Sequence, residues 1–347
     1  MRRQFDVEVG ACVRCGKRVQ GRHPLQTSDA LGAARVQIGA NAQGIIVYLN
    51  KIGGMSYGKI RDLFLTAMKF PIARSTGVRA VLRVGRRAEP AFREIEQRTR
   101  RSRKIHADET GWKVGGKLWW LWVFVAIAAK VVLYRIRDSR GCKVFQEVLG
   151  VGWSGWIHRD GWAPYDQLVL AAHQLCLGHI LTRCKELLQT AQRGAVRYPR
   201  AVQAWIQSAL ALHHRHRKDE ISDHGFQVAR GRLIVERDRL VFGRKKLNKA
   251  NDRLRKHLKE HWWGLATFLF RPGIDPTNWL AEQMIRPAVV NRKVWGGNRT
   301  PAGARAQEVL MSVLQTLRLR KKDPLAFLAK LLYARGGHEP KLLPSAA

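Results

Sequence analysis

Acidic side chains are scarce. The 347 residues hold 26 Asp and Glu against 63 Lys and Arg, a formal net charge of +37. A chain this one-sided resists compaction by self-repulsion unless a polyanion relieves it. The bases run through the whole sequence and do not form a tail, so the folded body is expected to face nucleic acid. An acidic membrane surface is the other polyanion, and an ordinary soluble protein of high isoelectric point is the plain alternative.

Cysteine is also sparse. The five, Cys12, Cys15, Cys142, Cys176 and Cys184, are odd in number and irregularly spaced, which excludes a disulfide framework and suits a reducing cytoplasm. No long apolar run occurs. The best, Leu118–Ala129 ("LWWLWVFVAIAA"), stops at Lys130, well short of the roughly 20 residues that a membrane span needs. It reads as a buried strand rich in Trp and Val. The opening "MRRQFDVEVG" lacks an apolar export region. Internal repeats and low-complexity tracts are absent, and a cytoplasmic, nucleoid-associated protein is expected.

What is present falls into three parts. In residues 1–25 a strand, "QFDVEV", precedes "CVRCGK". Cys12 and Cys15 form one Cys-x2-Cys knuckle, half of the ligand set of a zinc ribbon. The second knuckle is missing, so this is read as a partial zinc-ribbon remnant, explained as well by chance or degeneration as by bound Zn2+. Residues 26–102 follow a helical pattern from about Ala33. Ser56 is the expected N-cap of a helix with Ile60, Leu63, Phe64 and Ala67 on one face. After Pro71, Ser75 is the expected N-cap of a second helix with Val78, Val81 and Leu82 inward. That second helix carries Arg79, Arg83, Arg86 and Arg87. The pair resembles a DNA-binding helix-turn-helix, with a plain helical bundle as the alternative. Arg79 and Arg83 are the DNA-contact candidates.

Residues 103–347 read as an α/β unit. The expected strands are "RKIHAD", "KLWWLWVFVAIA", "VVLYRIRD" and "SGWIHRD", with a short helix "CKVFQEVLG" before the last and a long one over residues 165–191. Three strands on short turns, a helix, a fourth strand and a helix is the order of a ribonuclease-H-like core. Residues from about 190 to 270 break that alternation and read as a helical insertion. Leu233, Leu240, Leu247 and Leu254 recur every seven residues there. Arg237, Arg244 and Asn251 occupy the other seam, so a stripe packed on its own domain is expected and a coiled coil is not.

The few acids then matter by position. Asp108 is expected to end the first strand and Asp160 the fourth, on neighbours in the sheet, and Glu282 to arrive on a helix capped by Asn278 or Thr277. Three converging carboxylates repel one another unless cations sit between them, and oxygen-only ligands select Mg2+ or Mn2+. Two such ions, roughly 3.5–4 Å apart, suit phosphodiester chemistry. Alternation turns Glu109 to the opposite face from Asp108, and Asp166 is expected to cap the helix starting near Tyr165. Arg286, Arg292 and Lys293 follow Glu282 at spacings that keep them near its face, although Pro287 is expected to kink the helix. They are candidates for phosphate contact, with solvated surface charge as the alternative. Trp112 and Trp162 are read as buried rather than base-stacking.

"HADETGW", "HRDGWAPYD" and "PTNWLAEQMIRPAVVNRKVWGGNRT" resemble the three catalytic blocks of bacterial DDE transposases of the insertion-sequence 66 family. "HQLCLGH" resembles that family's Cys-x2-His segment, here Cys176 and His179. The resemblance covers most of the chain. It implies a ribonuclease-H-like catalytic domain that cuts DNA at element ends and joins them to a target. Asp108, Asp160 and Glu282 would be the metal-holding triad. It also implies a homo-oligomer on DNA and accessory proteins from the same element. Two departures stand out: Gln283 occupies the place where the family carries Arg, and the zinc region appears only as its second half. Two other classes stay open, a truncated, DNA-binding regulator without catalysis and a hydrolytic nuclease on the same core.

Overall fold

The computed structural model describes residues 7–21, 23, 38–244, 246–334 and 340–343. A small antiparallel hairpin comes first, β1 (Val9–Ala11) with β2 (Arg18–Gln20). The strand expected at residues 4–9 thus starts later in its described part, and residues 4–6 lie outside the described ones, as do 33–37 of the expected helical region.

Four helices precede the main sheet: α1 (Ala40–Lys51), α2 (Tyr57–Thr66), α3 (Arg74–Arg87) and α4 (Glu89–Arg101). Ser56 caps α2 as expected, its hydroxyl accepting from the Lys59 amide. Ile60 and Phe64 are buried, whereas Ala67 lies exposed beyond the helix end. Ser75 does not cap α3, which begins at Arg74 with Ala73 before it. That shift rotates the stripe, and Val78 is 39% exposed while Gly77, Ala80, Val81 and Val84 face inward. Gly77 permits the close α2–α3 approach, since a Cβ there would fall 2.8 Å from the Tyr57 ring.

The sheet contains β3 (Lys104–Val114), β4 (Lys117–Ala126), β5 (Val131–Arg137), β6 (Trp156–Arg159) and β7 (Ala172–Leu175), in the order β5-β4-β3-β6-β7. The first three form an antiparallel meander, and β6 and β7 add in parallel. Helix α5 (Lys143–Leu149) bridges β5 to β6. Two expectations are corrected here. Asp108 does not end its strand: β3 runs on to Val114 because "ETGWKV" pairs with the Trp-rich β4 across a Gly115–Gly116 turn, both glycines at positive φ. The long helix expected from residue 165 starts only at Leu177. Before it come a 3-10 turn (Ala163–Gln167) and β7, whose residues pair with β6.

Both faces of the sheet are covered, which explains the unbroken apolar run of β4. Trp122 and Phe124 meet Val81, Val84, Phe92 and Ile95 of α3 and α4 in one core. Leu121, Val123 and Val125 face a second core with Ala281, Ile285 and Ala288. The helices of residues 38–102 therefore pack directly on the sheet.

Helix α6 (Leu177–Thr190) leads into α7 (Arg197–Arg217), α8 (Asp223–Phe242) and α9 (Lys249–Glu260). These surround a third core of Val202, Trp205, Ile206, Leu233 and Leu254. The heptad leucines do not form a zipper, since α8 ends at Phe242. The chain returns through α10 (Trp279–Trp295), α11 (Pro301–Leu319) and α12 (Pro324–Tyr333).

Helix α11 seals the open edge of β5. The amides of Val132, Tyr134 and Ile136 donate to Thr316 Oγ1 (2.9 Å), Ser312 Oγ (2.8 Å) and Glu308 Oε1 (2.7 Å). Every second residue of a strand advances about 6.6 Å and every fourth of a helix about 6 Å, so the two ladders stay in step. An edge that would otherwise invite strand pairing is closed by side chains.

Candidate functional site

Register brings the first two acids together. In the parallel β3–β6 pair, Ile105 faces Ile157 and His106 faces His158. Extended by two residues, that register would set Asp108 beside Asp160, and the charge of Asp160 does act on the Asp108 carboxyl. The β3–β6 pairing has ended by then, so both acids stand where the sheet opens.

Helix α10 is stapled above them by Asn278. This residue occupies the N-cap position, yet its side chain does not cap the helix. Its Nδ2 donates to Ala107 O at 2.7 Å, its Oδ1 lies 3.2 Å from His106 Nδ1, and its amide donates to Cys176 Sγ at 3.2 Å. The expected cap is thus a clamp from α10 to β3 and to the start of α6. Glu282, one turn on, has Oε1 at 3.6 Å from Cys176 Sγ and 3.7 Å from His179 Nδ1. The His106 and His158 rings stack at 3.8 Å beneath the clamp. Burial pushes them down to about 4 and about 3, so both are neutral near pH 7.

Electrostatics shows the acids acting on one another. Burial, then the negative charges of Glu109 and Asp160, push the Asp108 carboxyl up to about 7. His179 is pushed up to about 9, first by its hydrogen bond with Cys176 and then by Glu282 and Asp160, against the effect of burial. One imidazole therefore senses Glu282 and Asp160, and it stabilises the charged form of Asp108. A dication would relieve this excess of negative charge, and the carboxylate oxygens of Asp108, Asp160 and Glu282 are the hard donors that Mg2+ or Mn2+ prefers. Cys176, His179 and Glu282, a softer donor set, are grouped within 4.8 Å of one another, whereas the three carboxylates are not.

Glu109 does turn to the opposite face, but it is no idle surface charge. Its carboxylate is buried, accepting from Arg140 Nε (2.9 Å) and Nη2 (2.7 Å) and from the Tyr165 hydroxyl (2.9 Å). The Arg140 guanidinium in turn lies 3.8 Å from the Trp162 ring centre. Asp166 caps no α-helix. It pairs with Arg159, a buried cation that also donates to Asp160 O at 3.1 Å and steadies the loop. His257 of α9 presses on the same loop, where a Cβ on Gly161 would meet its ring at 2.3 Å. Neither Arg159 nor His257 stood out in the sequence. Asn278 did, in the wrong role.

The candidate cations divide. Arg292 Nη1 donates to Thr110 Oγ1 and Gly111 O, both at 2.8 Å, which ties it to β3 two residues past Asp108. Arg286 and Lys293 are exposed, and α10 runs as one helix through Pro287. Arg79 is exposed on α3, while Arg83 is half-buried and donates to Gln43 Oε1 at 3.3 Å. Trp112 is buried, its Nε1 donating to Asn298 Oδ1 at 2.8 Å. Trp162 is 37% exposed. Cys12 and Cys15 share the β1–β2 turn, and the Cys12 thiol is held down chiefly by backbone amides. Among the described residues no third donor joins them.

Comparison with known proteins gives these features a place. A curated relative, the uncharacterised protein y4hP of Sinorhizobium fredii, is 23% identical over 285 residues, 72% of this chain and 51% of that protein. The chain thus spans about half the length of that relative. Residues 35–306, most of the chain and all three carboxylates, match the model of the Transposase IS66 family. The chain belongs to the IS66 family of transposases.

Proposed function

We propose that this chain catalyses metal-dependent cleavage of DNA at the ends of an insertion sequence and joins the 3′ ends to a target. What supports the reading is Asp108 and Asp160, each two residues past the last β3–β6 pair, with Asn278 tying the start of α10 to β3 and His179 responding to the charges of both Glu282 and Asp160. The strand order β5-β4-β3-β6-β7, with an antiparallel meander and two parallel additions, supports a ribonuclease-H-like core.

Asp108, Asp160 and Glu282 would hold the ions, Mg2+ or Mn2+. A bound divalent ion supplies Lewis acidity at a phosphodiester oxygen and a water or hydroxyl more readily deprotonated at neutral pH. The chain's own groups do the rest. Asn278 fixes the approach of Glu282, Arg159 and His257 hold the loop after Asp160, and the Glu109–Arg140 pair supports β3 from behind. Arg286, Arg292 and Lys293 lie along α10 and suit phosphate contact, while Arg79 and Arg83 suit contact further out. Zn2+ at Cys12 and Cys15 would need donors from elsewhere.

The test is a cleavage and strand-transfer assay on DNA bearing the element's own terminal repeats, with and without Mg2+. Metal-dependent cutting followed by joining is expected. Cutting without joining would indicate a nuclease, and salt-sensitive binding without cutting would indicate a regulator.

A further inference from the structure

The start of α10 carries a feature that neither packing nor metal binding uses. Trp279 is 60% exposed, the most exposed tryptophan among the described residues, and it precedes Glu282 by three positions on the same helix. The ring is not loose. With the Gln283 carboxamide turned so that its oxygen meets its two donors, it accepts from Trp279 Nε1 at 3.1 Å and from Arg286 Nη1 at 3.3 Å. Trp279, Gln283 and Arg286 stand at i, i+4 and i+7, one stripe of the helix. An indole, a carboxamide and a guanidinium are thus joined in a row on the helix that carries Glu282.

An indole with its N–H satisfied and most of its ring in water is built to receive something flat and apolar. The surroundings choose among candidates. Arg286 and Lys293 are exposed on the same helix, and the chain carries +37, so an anionic partner fits where a neutral apolar peptide has no counterpart. A DNA end offers both parts, a base with a π face and a phosphate next to it. Stacking on an aromatic ring tolerates any base, as a residue acting beside a cut site must.

We propose that Trp279, oriented by Gln283, is a stacking platform for one unstacked nucleobase at the DNA end, with Arg286 on the adjoining phosphate. The inference rests on the transposase reading above and adds a nucleobase subsite to it. Gln283 then acts as a positioning residue for its two neighbours.

The probe is a duplex with a short single-stranded extension carrying 2-aminopurine, whose fluorescence falls when the base stacks on indole. The full chain should quench it, and so should Glu282→Ala, which retains the platform. Trp279→Phe should keep most of the quenching. Trp279→Ala should lose it and bind the extended duplex about tenfold more weakly, with unchanged affinity for a blunt duplex. Gln283→Ala should fall between. Because Trp279 is exposed, its replacements should keep the thermal midpoint of the parent. Equal quenching and equal affinity in Trp279→Ala would overturn the subsite. So would a change confined to self-association, which would assign the ring to a second copy of the chain. Failure of the parent protein to bind any DNA would instead overturn the transposase reading, so the two failures are separable.

Discussion

Asp108 and Glu109 are neighbours on one strand and live in opposite worlds. Glu109 faces the core of α3, α4 and α5, where Arg140 and Tyr165 satisfy its oxygens. The charges that act on Asp108 are instead those of further acids, Glu109 and Asp160, and of the imidazole of His179. In a chain with more than twice as many basic as acidic residues, Asp108 forms no ion pair with a Lys or Arg among the described residues. The difference is that Glu109 meets a cation of the protein, Arg140, whereas Asp108 is raised by burial and by neighbouring acids.

The comparison breaks most visibly in activity. Asp108→Ala or Glu282→Ala should reduce DNA cleavage by on the order of 10³-fold or more, with DNA binding retained or tighter, as read in parallel cleavage and gel-shift assays. Glu109→Gln tests the other side. It leaves Arg140 beside an uncharged partner and should lower unfolding stability by ~1–3 kcal/mol in a denaturant titration. Its effect on cleavage should be smaller than that of Asp108→Ala. A Glu109→Gln enzyme more damaged in catalysis than Asp108→Ala would mean that the faces have been assigned the wrong way round.

Lys51 supplies the converse case, a buried cation with no acidic partner among the described residues. Its amine donates to Gln307 Oε1 at 2.5 Å and is pushed down to about 7 by burial. Below pH 7 both states are protonated and the burial penalty is full. Between about 7 and 10.5 only the unfolded chain keeps the proton, so stability climbs with pH and the penalty is gone above 10.5. Lys51→Met should therefore raise the thermal midpoint most below pH 7, by a gain that shrinks towards pH 10. A gain that grew with pH would contradict the assignment. The smallest effect is expected at the exposed Arg79, where Ala should weaken DNA binding less than tenfold and flatten its salt dependence by about one phosphate contact.

Much of this arrangement was legible in the residues. The β4 and β5 strands announce themselves by Trp, Val and Ile, and the adjacency of β3 and β6 follows from strand order. Alternation alone separates Asp108 from Glu109. Other parts were hidden for physical reasons. β7 is four residues long and held in place by parallel pairing with β6, so "AHQL" before an apolar helix looks helical. Asn278 sits at a cap position and spends its side chain on β3, a tertiary bond that local pattern does not encode. Glu308, Ser312 and Thr316 lie four apart on α11, and that spacing was the available signal for the sealed edge of β5. The surroundings of Glu109 depend on Arg140 and Tyr165, 31 and 56 residues away.

The central claim is that Asp108, Asp160 and Glu282 together hold a divalent ion. Electron paramagnetic resonance of Mn2+ titrated into the full chain tests it without requiring any DNA substrate. The account predicts bound Mn2+ in the parent protein and in Glu109→Gln, and its loss in Asp108→Ala, Asp160→Ala and Glu282→Ala. Mn2+ held as tightly by the three alanine variants as by the parent would contradict it.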